Sequence, residues 1–119
     1  MRAKDALGRY GEQVAAQHLA DQGLVVLDRN WRCDVGEIDI VARDGETLVV
    51  CEVKTRRGLG HGTPLEAVTD LKVRRLRRLA ARWVQSSGLH PREIRIDVVA
   101  VLAPTRGRAL VTHVRGVVW

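Results

Sequence analysis

Three charged residues on neighbouring segments have the types and spacing that metal-dependent phosphate chemistry uses. Asp39 precedes an Asp44-Gly45 turn, and Glu52 and Lys54 follow it. Carboxylate oxygens are the ligands that hard divalent ions such as Mg²⁺ prefer. An ammonium group two residues beyond a carboxylate in a strand lies on the same face, where it can approach a phosphate or an attacking water. The candidate catalytic residues are therefore Asp39, Glu52 and Lys54.

A β-hairpin would bring these side chains together. Apolar and β-branched residues flank Asp44-Gly45 on both sides, which predicts a two-residue turn. In that register Asp39 lies opposite Val50, and Glu52 is the diagonal neighbour of Asp39, about 7 to 8 Å away at the backbone. Two carboxylates at this separation can converge on one ion.

Strand periodicity divides the hairpin into two faces. One face is apolar near the turn and acidic away from it, and it carries Glu37, Asp39, Val41, Leu48, Val50, Glu52 and Lys54. The other face is apolar and carries Ile38, Ile40, Ala42, Val49, Cys51 and Val53. Crowded carboxylates raise one another's pKa unless a cation lies among them. The alternative is a solvated ladder of salt bridges in which Lys54 pairs with Glu52, although unpaired carboxylates beside so apolar a sheet would be costly.

Basic residues are concentrated in one segment of the chain. The formal net charge is +6, and residues 54–82 alone hold nine Lys and Arg against two acidic residues. This concentration predicts contact with a polyanion such as nucleic acid, and the alternative is a solvated helix face. The candidate nucleic-acid-binding residues are Arg56, Arg57, Lys72, Arg74, Arg75 and Arg78. Lys72 lies within the apolar stripe of a predicted helix, so it either points toward the acidic end of the sheet or snorkels to the helix edge.

Hydrophobic periodicity places these residues in a mixed α/β fold. Apolar residues recur at helical spacing over 5–22, and Pro64 suits the first turn of a second helix that runs to about residue 87. The predicted strands cover 24–32, 35–43, 46–55, 94–102 and 110–118. The element order is α-β-β-β-α-β-β, and 119 residues without a linker or repeat predict a single domain over 1–119.

Composition argues against several other classes of protein. Apolar runs fall far short of the ~20 residues that a membrane helix needs. The first residues lead into no apolar signal core, so we expect a cytoplasmic protein with no membrane partner. Cys33 and Cys51 fit neither a disulfide framework nor a zinc site, and Cys51 is expected in the core. His61 lies in a glycine-rich loop from which it could reach the site, but a solvated loop histidine is the simpler interpretation.

Short motifs along nearly the whole chain resemble a known family. The longest are Gly36-Glu-Ile-Asp-Ile-Val-Ala-Arg-Asp-Gly45 and Val50-Cys-Glu-Val-Lys-Thr-Arg56. Asp39 with Glu52-Val-Lys54 is similar to the motif of the PD-(D/E)XK nuclease superfamily. More closely, the chain resembles the YraN-like family of small bacterial proteins, which is related to archaeal Holliday junction resolvases. The opening Gly8-Arg-Tyr-Gly-Glu12 and the segments 66–72 and 97–101 also match that family.

The resemblance implies a restriction-endonuclease-like fold, in which helices flank a mixed central sheet. Asp39 and Glu52 would bind Mg²⁺, or Mn²⁺ in its place, and Glu12 would approach the same ion from the first helix. Lys54 would orient the attacking water. Ile38 stands where the superfamily motif has Pro.

The resemblance also implies a function, the metal-dependent hydrolysis of DNA phosphodiesters. Branched or junction DNA is the expected substrate, and a homodimer is the expected assembly. With no Phe, one Tyr and three Trp, stacking platforms are scarce, so recognition of DNA structure is expected rather than sequence reading. The alternative is a non-catalytic nucleic-acid-binding module that keeps the fold, which predicts salt-dependent binding without cleavage. A structural protein with a basic surface would predict no binding at moderate salt.

Overall fold

The seven predicted elements occur in the predicted order. A computed structural model describes residues 3–58 and 68–117 of the chain, with side chains from residue 6 onward. The helices of this part are α1 (Ala3–Asp21) and α2 (Asp70–Ser87). Its strands are β1 (Val25–Cys33), β2 (Gly36–Asp44), β3 (Thr47–Arg56), β4 (Glu93–Leu102) and β5 (Leu110–Val114).

A mixed sheet joins these strands in the order β1-β2-β3-β4-β5. β1, β2 and β3 form an antiparallel meander, β4 pairs in parallel with β3, and β5 returns antiparallel to β4. Parallel neighbours need a crossover connection rather than a tight turn, and α2 lies in the connection between β3 and β4. The mixed α/β fold with flanking helices, expected from the sequence, is confirmed.

α1 covers one face of the sheet. Its buried residues Ala15 and Leu19 pack against a layer of small and β-branched side chains. That layer consists of the fully buried residues Ile40, Ala42, Val49, Cys51, Val99 and Val101. The alternation of β3 explains the layer, because Val49 and Cys51 are two residues apart and point to the same face. Cys51 is a core residue, as predicted.

α2 covers the opposite face of the sheet. Leu76, Leu79 and Trp83 are buried on its inner side. They pack against a second layer of strand residues that includes Val41, Leu48, Val50 and Ile96. The two helices therefore lie on opposite faces, and each face has its own core.

α2 begins later than predicted. Thr69 is its N-cap, and the Thr69 side chain accepts a hydrogen bond from the Lys72 backbone N–H at 3.3 Å. Capping of this kind fixes the start of a helix because it satisfies a backbone donor that has no partner within the first turn. The predicted start at Pro64 lies outside the described residues. The prediction of helix at Val68 and Thr69 is wrong, because both residues precede α2.

The β2–β3 hairpin has a different register from the predicted one. Its turn consists of Gly45 and Glu46 rather than of Asp44-Gly45. Two-residue hairpin turns need a positive φ at the first turn residue, and Gly45 supplies it with a φ of 61°. The pairing therefore shifts by two residues, so that Val41 faces Val50.

This shift alters the position of Asp39 relative to Glu52, but it leaves nearly every side chain on the face predicted for it. Side chains alternate with a period of two, so an even shift keeps nearly every residue on its predicted face. The ladder ends with Ile40 opposite Cys51. Extended by one position, this register would bring Asp39 level with Glu52 rather than diagonal to it, although both residues lie beyond the last pair. Ile38 is the exception, since it packs in the core under α2 rather than under α1. Ile38 pairs with Trp31 of β1 and lies outside the β2–β3 ladder, which ends at Ile40.

The remaining differences lie at the ends of elements. β5 ends at Val114 rather than at 118, because the chain turns at Gly116, where φ is 67°. The Val117 N–H then donates to the Ile96 carbonyl at 2.7 Å. His61 lies outside the described residues. Neither α1 nor α2 is long and apolar enough to cross a membrane.

Candidate functional site

The candidate site lies where β2 and β3 separate, at the end of the sheet away from their turn. Val53 lies beyond the last pair of the β2–β3 ladder, and its N–H donates a 2.8 Å hydrogen bond to Oδ2 of Asp39. The Asp39 carboxyl group is thereby held between the two strands. Glu52 occupies the position before Val53, so the local opening of the ladder brings two carboxylates to one point.

The Asp39 carboxyl group is in surroundings that disfavour its charge. Burial raises the pKa of Asp39, and the neighbouring Glu52 carboxylate raises it further, to about 8, although the Val53 N–H acts in the opposite direction. An ordinary aspartate has a pKa of about 4. Without a cation beside it, the pair therefore holds a proton at neutral pH. A bound cation would remove the cause of this shift.

α1 brings a third carboxylate to the same end of the sheet. A Cβ at Gly11 would overlap the Thr55 side chain, so glycine at this position lets α1 approach β3 closely. The next residue is Glu12. Burial raises its pKa most, a hydrogen bond with Asn30 and the charge of Arg29 oppose the rise, and the charges of Glu37 and Glu52 add to it. Within the described residues, Oε1 of Glu12 is buried without a hydrogen-bond partner. A buried acceptor of this kind is costly unless a ligand or water completes it.

Two lysines face the carboxylates. Nζ of Lys54 lies 3.9 Å from Oε1 of Glu52, and the side chains are only 19% and 20% exposed. Lys72 reaches the same place from the first turn of α2. The charge of Lys54 lowers the pKa of Lys72, and burial and a hydrogen bond with Lys54 lower it further, against the opposing effect of Glu52. Lys72 therefore points toward the acidic end of the sheet, which is the first of the two predicted orientations.

Two clefts meet at these residues. The first has a volume of about 280 Å³ and opens on the α2 face. Its charged lining residues are Glu37, Asp39, Glu52, Lys54, Lys72 and Arg75. The second has a volume of about 450 Å³, opens on the α1 face, and is lined by Leu7, Gly8, Glu12, Val53, Lys54, Thr55, Arg56 and Arg57. Lys54 borders both clefts.

The three predicted metal ligands come to one end of the sheet without forming a closed cage. Across 6–58 and 68–117, no three His, Cys, Asp or Glu side chains converge as a ready-made metal cluster. The charges of Glu52 and Glu12 nevertheless both raise the pKa of Asp39, so the three carboxylates lie within electrostatic reach of one another. Mg²⁺ is usually bound by one or two carboxylates and keeps several waters. The donor set of Asp39, Glu52 and Glu12 fits such an ion.

The predicted nucleic-acid contacts divide into two groups. Four of them line the clefts, namely Arg56, Arg57, Lys72 and Arg75. Arg74 instead forms an exposed 2.7 Å ion pair with Asp70, and Arg78 is exposed on α2 outside the cleft walls. Glu37 lines the α2-side cleft but is half-exposed and pairs with Arg32 at 2.9 Å.

A second charged cluster, centred on Asp97 of β4, is absent from the sequence predictions. Asp97 is fully buried and accepts hydrogen bonds from the Arg95 guanidinium at 2.8 and 3.0 Å and from the Gly116 N–H at 2.9 Å. Nε2 of His113 lies 2.8 Å from its Oδ2. Burial alone would raise the pKa of Asp97, but the hydrogen bonds with His113, Arg95 and Gly116 outweigh it and lower the pKa to about 2. The sequence feature that could have revealed this cluster is the pair of charged residues, Arg95 and Asp97, within an apolar strand.

The fold and the site define a mixed α/β protein with a charged cleft at the end of its central sheet. The chain belongs to the uncharacterised protein family UPF0102, whose model matches residues 11–101. This finding confirms the membership in the YraN-like family that the sequence motifs predicted. The matched range contains the two carboxylates Asp39 and Glu52, the two lysines Lys54 and Lys72, and Glu12.

Relatives in several bacteria are similar over nearly their full length. A UPF0102 protein of Nocardioides sp. (strain JS614) is 64% identical over 114 residues, which cover 96% of this chain and 92% of the relative. A UPF0102 protein of Beutenbergia cavernae is 63% identical over 117 residues, covering 98% and 99% of the two chains. One of Streptomyces coelicolor is 59% identical over 119 residues, covering 98% and 92%. The family relationship thus extends over the whole fold.

Proposed function

We propose that this protein is a metal-dependent DNA endonuclease of the PD-(D/E)XK type. One observation carries the proposal: two carboxylates and two lysines line one cleft. Asp39 and Glu52 form the acidic pair, in which the pKa of Asp39 is raised to about 8. Lys54 and Lys72 form the basic pair. Adjacent carboxylates attract a divalent cation and adjacent ammonium groups attract a phosphate oxygen, so the cleft suits a phosphodiester together with its metal ion.

Asp39, Glu52 and Glu12 would hold Mg²⁺, or Mn²⁺ in its place. When bound, the ion supplies Lewis-acid activation of the phosphate and of the attacking water. The protein holds the ligands in position, because the Val53 N–H fixes the Asp39 carboxyl group and the close approach at Gly11 sets the distance of Glu12 from β3. The unpartnered Oε1 of Glu12 supports its assignment as a ligand.

Lys54 would act on the charge that develops during hydrolysis. The water oxygen adds to phosphorus and gives up a proton while the bond to one sugar oxygen breaks, and that sugar oxygen takes up a proton, so no net proton is gained or lost. The 3.9 Å separation of Lys54 from Glu52 is too long for a tight hydrogen-bonded ion pair. The ammonium group is therefore available to orient the water and to stabilise charge on the phosphate. Lys72 and Arg75 would hold the same phosphate from the α2 side.

DNA is the proposed substrate, recognised through its backbone and shape. The cleft residues that would contact it are Arg56, Arg57, Lys72 and Arg75, whose cationic side chains suit phosphate oxygens. Branched or junction DNA is the proposed form, by the resemblance to the resolvases. A homodimer with two clefts would then make two symmetric cuts.

The test is the cleavage of labelled junction, flap, single-stranded and duplex DNA by the purified protein in Mg²⁺, Mn²⁺ or EDTA. We expect cleavage only with a metal ion, and most strongly of the branched forms. Glu52→Gln should lower the rate by about 100-fold, the usual effect of disturbing a metal site. Glu46→Gln, at the exposed turn of the same hairpin, is the matched control and should leave the rate unchanged. Full activity of Glu52→Gln, or of the wild type in EDTA, would contradict the proposal.

The same experiment distinguishes the alternative functions. A non-catalytic binding module would retain DNA with an affinity that falls steeply as salt rises, but would release no cleaved product with either metal. A structural protein with a basic surface would neither cleave DNA nor bind it at moderate salt.

A further inference from the structure

We infer that the α1-side cleft is a second phosphate-binding subsite, so that a bound nucleic-acid strand crosses the end of the sheet from the α2 face to the α1 face. The identity of the ligand, a polynucleotide strand, rests on the proposed function. The location of the subsite rests on the geometry of the two clefts. The sequence alone suggested a continuous basic track along one segment, and the fold divides that track between two faces.

The two clefts open on opposite sides of the same strand end. Lys72 and Arg75 of α2 line one of them, and Leu7 and Gly8 of α1 line the other. α1 and α2 cover opposite faces of the sheet, each over its own core. Lys54 borders both clefts. A nucleic-acid strand with its scissile phosphate at Lys54 would therefore pass the end of β3 to reach the second cleft.

The charge balance differs between the clefts. The α2-side cleft has three carboxylates and three cationic groups along its walls. The α1-side cleft has one carboxylate, Glu12, against the three cationic side chains of Lys54, Arg56 and Arg57. When no metal ion is bound, the second cleft is therefore more attractive to a phosphate than the first. The phosphate next to the scissile one therefore has a favourable place on the α1 side.

The two arginines of this cleft are held in place and retain free donors. A guanidinium N–H of Arg56 donates to the Thr55 carbonyl at 3.1 Å, and one of Arg57 donates to the Ala103 carbonyl at 3.5 Å. The Ala103 N–H in turn donates to the Arg56 carbonyl at 2.7 Å, which fixes the backbone here. An arginine has five N–H donors, so each side chain keeps several for a ligand. Neither arginine pairs with a carboxylate in the part of the chain that the structure describes.

The cleft also has room for more than a phosphate group. A Cβ at Gly8 would meet no atom of the described residues within 4 Å, so the α1 wall formed by these residues is open at this point. The volume of about 450 Å³ suits a sugar with its phosphate, and Leu7 and Val53 provide apolar walls for the sugar. A larger side chain at Gly8 would fill this space without changing the charge of the cleft.

The test measures binding without cleavage. A fluorescein-labelled single-stranded oligonucleotide of about 20 nucleotides is titrated with each variant in EDTA and followed by anisotropy. Arg57→Ala removes a phosphate contact, and Gly8→Leu fills the cleft while favouring the helix. Each should weaken binding by roughly three- to tenfold, and Arg57→Ala should lower the slope of log K against log salt by about 0.7. Arg75→Ala should weaken binding from the α2 side by a smaller factor, because that cleft is less attractive to a phosphate without a metal ion.

Two matched controls separate the subsite from general effects. Arg92→Ala removes one exposed positive charge at the far end of the sheet, beside Glu46. Ala6→Leu places the same side chain on α1 at an exposed position outside the cleft. Both should bind within about twofold of the wild type. Thermal melting of every variant checks that the fold is intact.

The outcomes separate this inference from the proposed function. Weaker binding of Arg57→Ala and Gly8→Leu supports the second subsite, even if the protein never cleaves DNA. If Arg75→Ala weakens oligonucleotide binding while Arg57→Ala and Gly8→Leu bind like the wild type, the second subsite is overturned. The proposed nuclease function then still stands. A wild-type protein that does not bind the oligonucleotide overturns the second subsite, and the cleavage assay with a metal ion then decides the proposed function separately.

Discussion

Asp39 and Asp97 belong to one sheet, but their surroundings shift their pKa values in opposite directions. Asp97 has partners in Arg95, His113 and Gly116, and its pKa falls to about 2. Asp39 has one backbone donor and a second carboxylate beside it, and its pKa rises to about 8. Burial disfavours the charge at both positions, so the partners account for the difference.

The difference separates a structural carboxylate from a candidate functional one. Hydrogen bonds of Asp97 tie β4 to the chain after β5, and Arg95 continues the cluster to Asp44 of β2 at 3.0 Å. Every charge in that cluster is satisfied by another part of the protein. At the Asp39 and Glu52 pair, the nearest cation is Lys54 at 3.9 Å from Glu52, and the pKa of Asp39 stays raised. A carboxylate with so perturbed a pKa in a cleft is typical of sites that a ligand completes.

The largest expected effect is the loss of stability in Asp97→Asn. The substitution keeps the shape of the side chain but removes the buried charge that pairs with Arg95, and it leaves the partly buried guanidinium with Asp44 as its carboxylate partner. Breaking such a pair costs about 3 kcal/mol. The free energy of unfolding, from urea denaturation at pH 7, measures the loss. A loss below about 1 kcal/mol would mean that the Asp97 cluster does not stabilise the fold as described.

The same change at Asp39 should have the opposite sign. A raised pKa means that folded Asp39 holds a proton that the unfolded chain releases, so wild-type stability falls as pH rises from about 4 to about 8. Asp39→Asn still offers an oxygen to the Val53 N–H and has no charge. In EDTA at pH 8 it should be more stable than the wild type by about 2 kcal/mol, with the gain shrinking toward pH 4. A destabilised Asp39→Asn at pH 8 would remove the contrast between the two aspartates.

Acid should affect the Asp97 cluster in a different pH window. The folded pKa of about 2 lies below the ordinary value of 3.8, so ionised Asp97 contributes stability that is complete above about pH 4 and is lost as pH falls toward 2. The loss should be about 2 kcal/mol. Urea midpoints between pH 2 and pH 5 measure it, with Asp97→Asn as the control that lacks this component. Parallel curves for the two proteins would contradict the assignment.

The smallest expected effect is stabilisation by a metal ion at the Asp39 end. Mn²⁺ at ten times its Kd should add about 1.4 kcal/mol to the free energy of unfolding and raise the melting temperature by a few degrees. EDTA should reverse the shift, and Asp39→Asn should abolish it. Glu46→Gln should keep it. An equal shift in Asp39→Asn would place the ion elsewhere on the protein.

Local patterns explain why much of the hairpin could be predicted from the sequence. Alternation assigned Val41, Val50 and Cys51 to the correct faces, although the register was wrong by two residues. Both Asp44-Gly45 and Gly45-Glu46 provide a residue that accepts a positive φ, so the sequence did not distinguish the two turns. An even error preserves the faces, and the carboxylates converged in either register.

Contacts between distant segments account for what the sequence could not predict. Gly11 of α1 meets Thr55 of β3, and nothing in a single glycine indicates which strand will approach it. Asp97 finds His113 on β5, and the tertiary fold alone decides that pairing. The direction of Lys72 was predicted correctly because helical periodicity is a local property. The division of the basic residues between two faces could not be predicted without knowing where α1 packs.

The parallel pairing of β3 with β4 also affects how the chain assembles. β3 ends at Arg56 and β4 begins at Glu93, after α2, so a growing polypeptide completes the β1–β3 meander while one edge of β3 has no neighbour. Unpaired backbone groups on an apolar strand can join another chain. A fragment that stops before β4 should therefore aggregate through β3. Closing this long-range pair, rather than forming the local hairpin, should limit the folding rate.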